Sequence, residues 1–196
     1  TDDTYAIARL VGEEARQKGY ILRVLQSEKG VSAAKNMGLQ RISPQSEWVV
    51  LCDADTRLGP DFLHHLNTYL NRSKNDPVIG TSAIQPAPEA GLYDIIWFKL
   101  YDFAHKLTRT SYSLQIAKSE IARRIEFDHD LELGEDLLFI KQCRKYGSFF
   151  FLATDQVTTS VRRFESVGYL RLSLRWILGA LVPRRIKQNW IYHVVR

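Results

Sequence analysis

The chain switches between two hydrophobic periods, and that alternation limits its folds more than any other feature. "TDDTYAIARLVGEEARQKG" sets Ala6, Ile7, Leu10, Val11 and Ala15 at helical spacing and stops at Gly19. "YILRVLQ" then reads as a short strand, "VSAAKNMGLQRI" as a helix, and "EWVVLCD" as a strand apolar enough for burial on both faces. "PDFLHHLNTYLNR" opens on proline and aspartate and sets Leu63, Leu66 and Leu70 on one face of a third helix. Helices and strands in this order predict an α/β domain: a mostly parallel, Rossmann-like sheet flanked by helices with right-handed crossovers. Such domains open on a strand, so a chain that opens on a helix is expected to lack an N-terminal piece.

The second half is less regular. "DPVIGTSAIQPAP" reads as a strand and a turn, and "GLYDIIWFKLYDFAHKL" as an aromatic-rich amphipathic helix. "SLQIAKSEIARRIEF" fits neither period. "GEDLLFIKQCRKYG" is a helix opened by acids and closed by Gly147, "SFFFLA" and "QVTTSVRRF" are strands, and the last thirty residues are mostly helix. At 196 residues the chain is long enough for one compact domain with a real core. Its 45% apolar and 25% charged residues exclude a disordered class.

Cys52 and Cys143 have neither a metal-site nor a redox-motif spacing, so they read as buried thiols of a reducing compartment. No leader is expected ahead of the first helix, and no run of about 18 apolar residues is free enough of charge to span a bilayer. The expected location is the cytoplasm, at the cytosolic face of a membrane. The net charge of +5 is unevenly spread: no acid follows Glu165, whereas Arg171, Arg175, Arg184, Arg185, Lys187 and Arg196 do.

Four constellations could carry chemistry. Asp53 and Asp55, one residue apart at the end of a buried strand, can present both carboxylates to one point if the segment is extended. That end of a strand is where open α/β sheets bind ligands, and Mg²⁺ is held by one or two carboxylates plus substrate phosphates. The alternative is a plain turn into the next helix. Glu135 and Asp136 open a helix after Gly134, where they either cap it or stay ionised to accept a proton. Arg162 and Arg163 end the strand "TTSVRRF"; one can reach a site and match phosphate oxygens, or both simply lie on the surface.

The fourth is the tail. Leu170, Leu174, Ile177 and Leu181 form an apolar stripe beside Arg171 and Arg175, with Trp176, Trp190 and Tyr192 adding amphipathic rings. It suits a lipid interface, and equally packing on the domain. The histidines add little, His129 included. Nucleic acid is not an expected partner, because the basic residues follow an apolar helix and no exposed aromatic sheet face.

"KGVSAAKNMGLQ", "LCDADTRLGPDFL", "LGEDLLFIKQCRKYG" and "TSVRRFESVGYLR" together resemble, in order and spacing, family 2 glycosyltransferases of the GT-A fold. The resemblance implies a GT-A-like domain over residues 1–164, truncated at its N-terminus, and a basic amphipathic helical tail over 165–196. It implies inverting, metal-assisted transfer of a sugar from a nucleotide-diphosphate donor to a saccharide hydroxyl or a lipid-linked acceptor, with Mg²⁺ or Mn²⁺ as cofactor. Asp53 and Asp55 match the metal-binding pair, with Asp53 also facing the donor. Asp136 matches the general base, with Glu135 beside it. Lys29, Gly30 and Asn36 match the segment near the nucleoside, and Arg163, with Arg162 beside it, resembles the arginine near the leaving diphosphate. The family's first strand and the acid ending its second are expected upstream of Thr1. Two other readings are a noncatalytic GT-A-like module that binds a membrane or a partner, and nucleotidyl transfer, which requires a glycine-rich phosphate loop.

Overall fold

The computed structural model of the chain describes residues 3–131 and 134–181. Its elements run α1 (Thr4–Gln17), α2 (Val31–Leu39), β1 (Trp48–Cys52), β2 (Thr56–Leu58), α3 (Phe62–Arg72), β3 (Pro77–Ser82), β4 (Gln85–Pro86) and α4 (Leu92–Thr108). They continue with β5 (Leu114–Lys118), α5 (Ser119–Ile125), α6 (Glu135–Cys143), β6 (Ser148–Leu152), β7 (Val157–Thr159), α7 (Arg162–Val167) and α8 (Tyr169–Leu181).

The main sheet has the order β1-β5-β3-β6. β5 runs antiparallel to both neighbours while β3 and β6 are parallel, so three of the four strands point one way. A smaller sheet, β2-β7-β4, stands beside it.

Period-two alternation distributes side chains to two cores, one on each face of the main sheet. Trp48 and Val50, Leu114 and Ile116, and Phe150 and Leu152 join Phe62 and Leu66 of α3, Phe98 of α4, Phe164 of α7 and Leu172 of α8. Val49, Leu51, Ala117 and Phe149 join Leu39 of α2, Ile121 of α5, and Phe139 and Ile140 of α6. The strand expected to be buried on both faces, β1, is therefore covered on both, though only partly buried, since β5 is its one described neighbour. At the centre, β3 and β6 approach so closely at Gly80 that a Cβ there would lie 2.5 Å from Phe150 Cδ1 and from its carbonyl oxygen.

Several expectations are corrected. Tyr20–Gln26 forms no strand: no described strand runs beside it to complete a ladder, and Ile21 is 90% exposed. The unreadable stretch from Ser113 is a strand and a helix back to back, with the period changing at Ser119. In α3 the inward face is Phe62, Leu66, Tyr69 and Leu70, and Leu63, one helical step off that face, is exposed. The strand "QVTTSVRRF" stops at Thr159, because Ser160 Oγ accepts from Arg162 N and Val161 O accepts from Phe164 N, which turns the chain into α7. Cys143 is buried as expected, whereas Cys52 is exposed.

A boundary after Phe164 falls within α7, and Tyr169 and Leu172 of α8 are buried in the first core, with Val167 and Trp176 packed against it. Leu181 side-chain packing, Trp190 and Tyr192 lie outside the described residues.

Candidate active site

The acidic pair lies where β1 leaves the sheet. Asp53 N donates to Ser113 O at 3.0 Å, and Thr56 N donates back to Asp53 O at 3.0 Å. Asp53, Ala54 and Asp55 thus ride a β-turn and not the extended segment expected; the turn is tighter because β2 starts at Thr56 and pairs at once with β7. Both carboxyls still share one field. Protein atoms crowd the Asp53 carboxyl although the residue keeps open surface, and this desolvation pushes its pKa up to about 6. Asp136 and Asp55 add to the rise; Lys35 and Arg163 oppose it. Desolvation, then the charges of Asp53 and Asp55, push the neighbouring Cys52 thiol up to about 11, which keeps it protonated and unreactive at neutral pH.

The small sheet brings the arginines to this turn. Thr56 Oγ1 and Thr159 Oγ1 are 3.1 Å apart, tying the acidic segment to the strand that leads into α7. Arg163, partly buried on the first turn of α7, is close enough to act on both Asp53 and Tyr112, while Arg162 is exposed.

The second acidic pair opens α6. Gly134 caps that helix at φ +86°, a left-handed conformation that glycine adopts without strain, and so turns Glu135 and Asp136 toward α2. There Lys35 Nζ donates to Asp136 Oδ1 at 2.6 Å and to Glu135 Oε1 at 3.4 Å. Burial pulls the Lys35 pKa down, but Asp136, Glu135 and Asp53 together outweigh it and hold the ammonium above its ordinary value. Glu135 is buried, and desolvation, then the charge of Asp136, push it up to about 7 against the pull of Lys35.

Asn36, expected near the nucleoside, is buried and engaged elsewhere. Its Nδ2 donates to Phe127 O at 2.8 Å, its Oδ1 accepts from Phe127 N at 2.6 Å, and Nδ2 also lies 3.0 Å from His129 Nε2. It fixes Phe127, whose ring stacks on Phe139 of α6 at 4.1 Å and backs the Lys35 ammonium at 5.0 Å. Lys29 and Gly30 stand exposed at the start of α2, Gly30 as its N-cap.

The structure therefore brings together Asp53, Asp55, Glu135, Asp136 and Arg163, and leaves Lys29, Gly30 and Arg162 at the margin. It also adds Lys35 and Tyr112, which the sequence reading passed over. Lys35 had a signal: it is the sole charge in the helix "VSAAKNMGL". Tyr112, in a loop before β5, had none.

The glycosyl transferase family 2 model matches residues 1–133. The chain belongs to glycosyl transferase family 2. Among solved structures, the crystal structure of S. aureus TarS residues 1–349 superposes with a TM-score of 0.58 at 18% identity, over 95% of this chain and 56% of that one. The chain thus spans little more than half of that TarS chain, and the likeness supports the GT-A fold. No curated protein sequence matches it significantly. The family 2 match ends just before Gly134, so the Glu135–Asp136 pair rests on the geometry above.

A divalent cation can be tested against the donors present. Among the described residues no three His, Cys, Asp or Glu side chains are grouped to hold a metal ion by themselves. Two hard carboxylates within one turn at a strand end are of the donor type that suits Mg²⁺ or Mn²⁺, with phosphate and water oxygens completing the shell. Asp53 and Asp55 are the residues that would hold it.

Proposed function

We propose that this family 2 chain carries the catalytic site of a metal-assisted glycosyltransferase that moves a sugar, with inversion, from a nucleotide-diphosphate donor to a hydroxyl or lipid-linked acceptor. The observation that carries the reading is the electrostatic cluster in which Asp53 feels Asp55 and Asp136 on one side and Lys35 and Arg163 on the other. Two carboxylate pairs with a cation at each end suit a reaction in which negative charge leaves in one direction and a proton in another.

Asp136 accepts the proton of the acceptor hydroxyl as its oxygen forms a bond to the anomeric carbon. The bond from that carbon to the diphosphate oxygen breaks, and the electron pair leaves with the nucleoside diphosphate. Arg163 keeps its charge and suits binding the departing phosphate oxygens. A cation bound by Asp53 and Asp55 would add charge stabilisation to the same diphosphate. Lys35 holds the carboxylate of Asp136 toward the acceptor side, and a phosphate acceptor would need no base. Under this reading the chain works in the cytoplasm, at the cytosolic face of a membrane.

The test is transfer from UDP- and GDP-sugars to hydroxyl acceptors by the native chain and by Asp136→Asn, with Mn²⁺ present. The variant should lose about 10²- to 10⁴-fold in kcat while retaining donor binding. Near-native turnover would refute the base assignment; nucleotide-independent membrane or partner binding with no transfer at all would favour the noncatalytic module.

A further inference from the structure

We propose that α4 and α8 together form a docking face for an anionic lipid bilayer. The docking itself does not depend on the catalytic reading.

α4 has two apolar sides. Phe98 and Tyr101 pack on the first core, while Leu92, Ile96, Leu100, Phe103 and Leu107 make a second stripe along the helix, each at least half exposed. No described element covers that stripe, and α8 packs on the flank next to it through Tyr169, stacked on Trp97, and Ser173, hydrogen-bonded to Tyr101. α8 repeats the pattern: Leu172 is buried, and Leu170, Leu174 and Ile177 are exposed.

Charge decides what covers these stripes. Both acids of α4 are turned into the fold, where Asp94 accepts from Gly91 N at 2.8 Å and from Tyr169 Oη, and Asp102 accepts from Ile84 N at 3.1 Å. The outward charges of α4 are Lys99 and Lys106, with Arg109 at its end. α8 carries exposed Arg171 and Arg175 and no acid, and the sequence beyond it adds Arg184, Arg185, Lys187 and Arg196, again without an acid. A second copy would set these cations against each other. An apolar face whose own exposed charges on α4 and α8 are all cations matches acyl chains beneath anionic headgroups.

The helices lie on such a surface and do not cross it. At 1.5 Å per residue α4 is about 25 Å long, and among the described residues no helix is long and apolar enough to span a membrane. The docking face is also close to the candidate site. Tyr101 of α4 stacks on Tyr112 at 6.4 Å, and Tyr112 in turn lies within the field of Arg163, Asp55 and Asp53. Docking through α4 therefore brings the candidate site alongside the lipid, which suits an acceptor carried on a lipid.

The experiment is vesicle co-sedimentation of the full chain with phosphatidylcholine alone and with one third phosphatidylglycerol, at low and high salt. Binding is expected with the anionic vesicles only, and is expected to weaken with salt. Leu100→Glu/Phe103→Glu and Leu174→Glu/Ile177→Glu should each lower partitioning by about tenfold or more, since each removes two apolar anchors. Circular dichroism checks that both variants, altered only at exposed positions, remain folded. No binding, equal binding to neutral vesicles, or α4 variants that bind like the native chain would overturn the proposal, the last by assigning the contact to the tail alone. So would a concentration-dependent dimer in sedimentation velocity that the same substitutions abolish. Nucleotide titration of the same variants should stay unchanged, so a failure of docking is separable from a failure of the catalytic reading.

Discussion

Lys35 Nζ sits 2.6 Å from Asp136 Oδ1 across 101 residues of sequence, and the same ammonium reaches Glu135 at 3.4 Å. This contact joins α2 to the acidic start of α6 and gives two adjacent carboxylates a shared counter-ion. Lys35→Met leaves that pair uncompensated in a partly buried site, so its protons bind more tightly. The acid limb of the kcat/KM profile should move to higher pH, and kcat should fall by roughly 10²-fold with a smaller change in KM. Lys35→Arg should restore most of the rate and the native profile. A lower rate with an unmoved profile would mean that Lys35 acts only through packing.

Asn36 makes its prediction through structure. Asn36→Ala removes both side-chain bonds to the Phe127 backbone and leaves a buried N–H and C=O unpaired, each costing about 1–3 kcal/mol. Thermal unfolding should show the loss, and hydrogen exchange at the Phe127 amide should quicken more than in β3. Unchanged exchange at Phe127 would contradict this role.

Gly80→Ala places a methyl 2.5 Å from Phe150 Cδ1 and its carbonyl oxygen, where β3 and β6 are in register. Phe150 is held by Tyr69, stacked at 5.3 Å, and by Trp48 edge-on at 5.9 Å, so it has little room to withdraw. Overpacking should cost about 1–3 kcal/mol in denaturant unfolding. A neutral effect would show that the strands can part at this point.

Asp102 makes stability depend on pH. Burial pushes its carboxyl up to about 6, against the Ile84 N–H that favours the charged form. A folded pKa above the unfolded value means that its stabilising share is complete below the unfolded pKa, about 3.9, and disappears as pH rises through 6. His105, which lines the same small cavity, acts in the opposite sense: burial lowers it to about 4, so its share is present above about 6.5 and is lost as pH falls through 4. Asp102→Asn keeps the acceptor for Ile84 N–H and removes the charge, so melting temperature should decline less between pH 4 and 6 than in the native chain. An identical slope in both proteins would contradict the shift.

Elements with strong periodicity were legible: α1, α2, α4 and α6 follow from apolar spacing, and β1 and β6 from short apolar runs. Tyr20–Gln26 misled because its composition suits a strand while a strand also requires a neighbour, which local sequence does not specify. Arg162 and Arg163 misled in the other direction, since a hydroxyl at Ser160 and the burial of Phe164 convert an apparent strand into a helix. At the site, acids one residue apart were readable as motifs. The cation that joins them was not, because the Lys35–Asp136 pair exists only after α2 and α6 meet on one face of the sheet.

The central claim is that Asp53 and Asp55 hold a divalent cation against a nucleoside diphosphate. Calorimetric titration of UDP and GDP, with and without Mn²⁺, into the native chain and into Asp53→Asn/Asp55→Asn tests it most directly. The account predicts binding of one nucleotide that requires Mn²⁺ and is lost in the double variant. Binding that is indifferent to Mn²⁺, or that survives the double substitution, would contradict it.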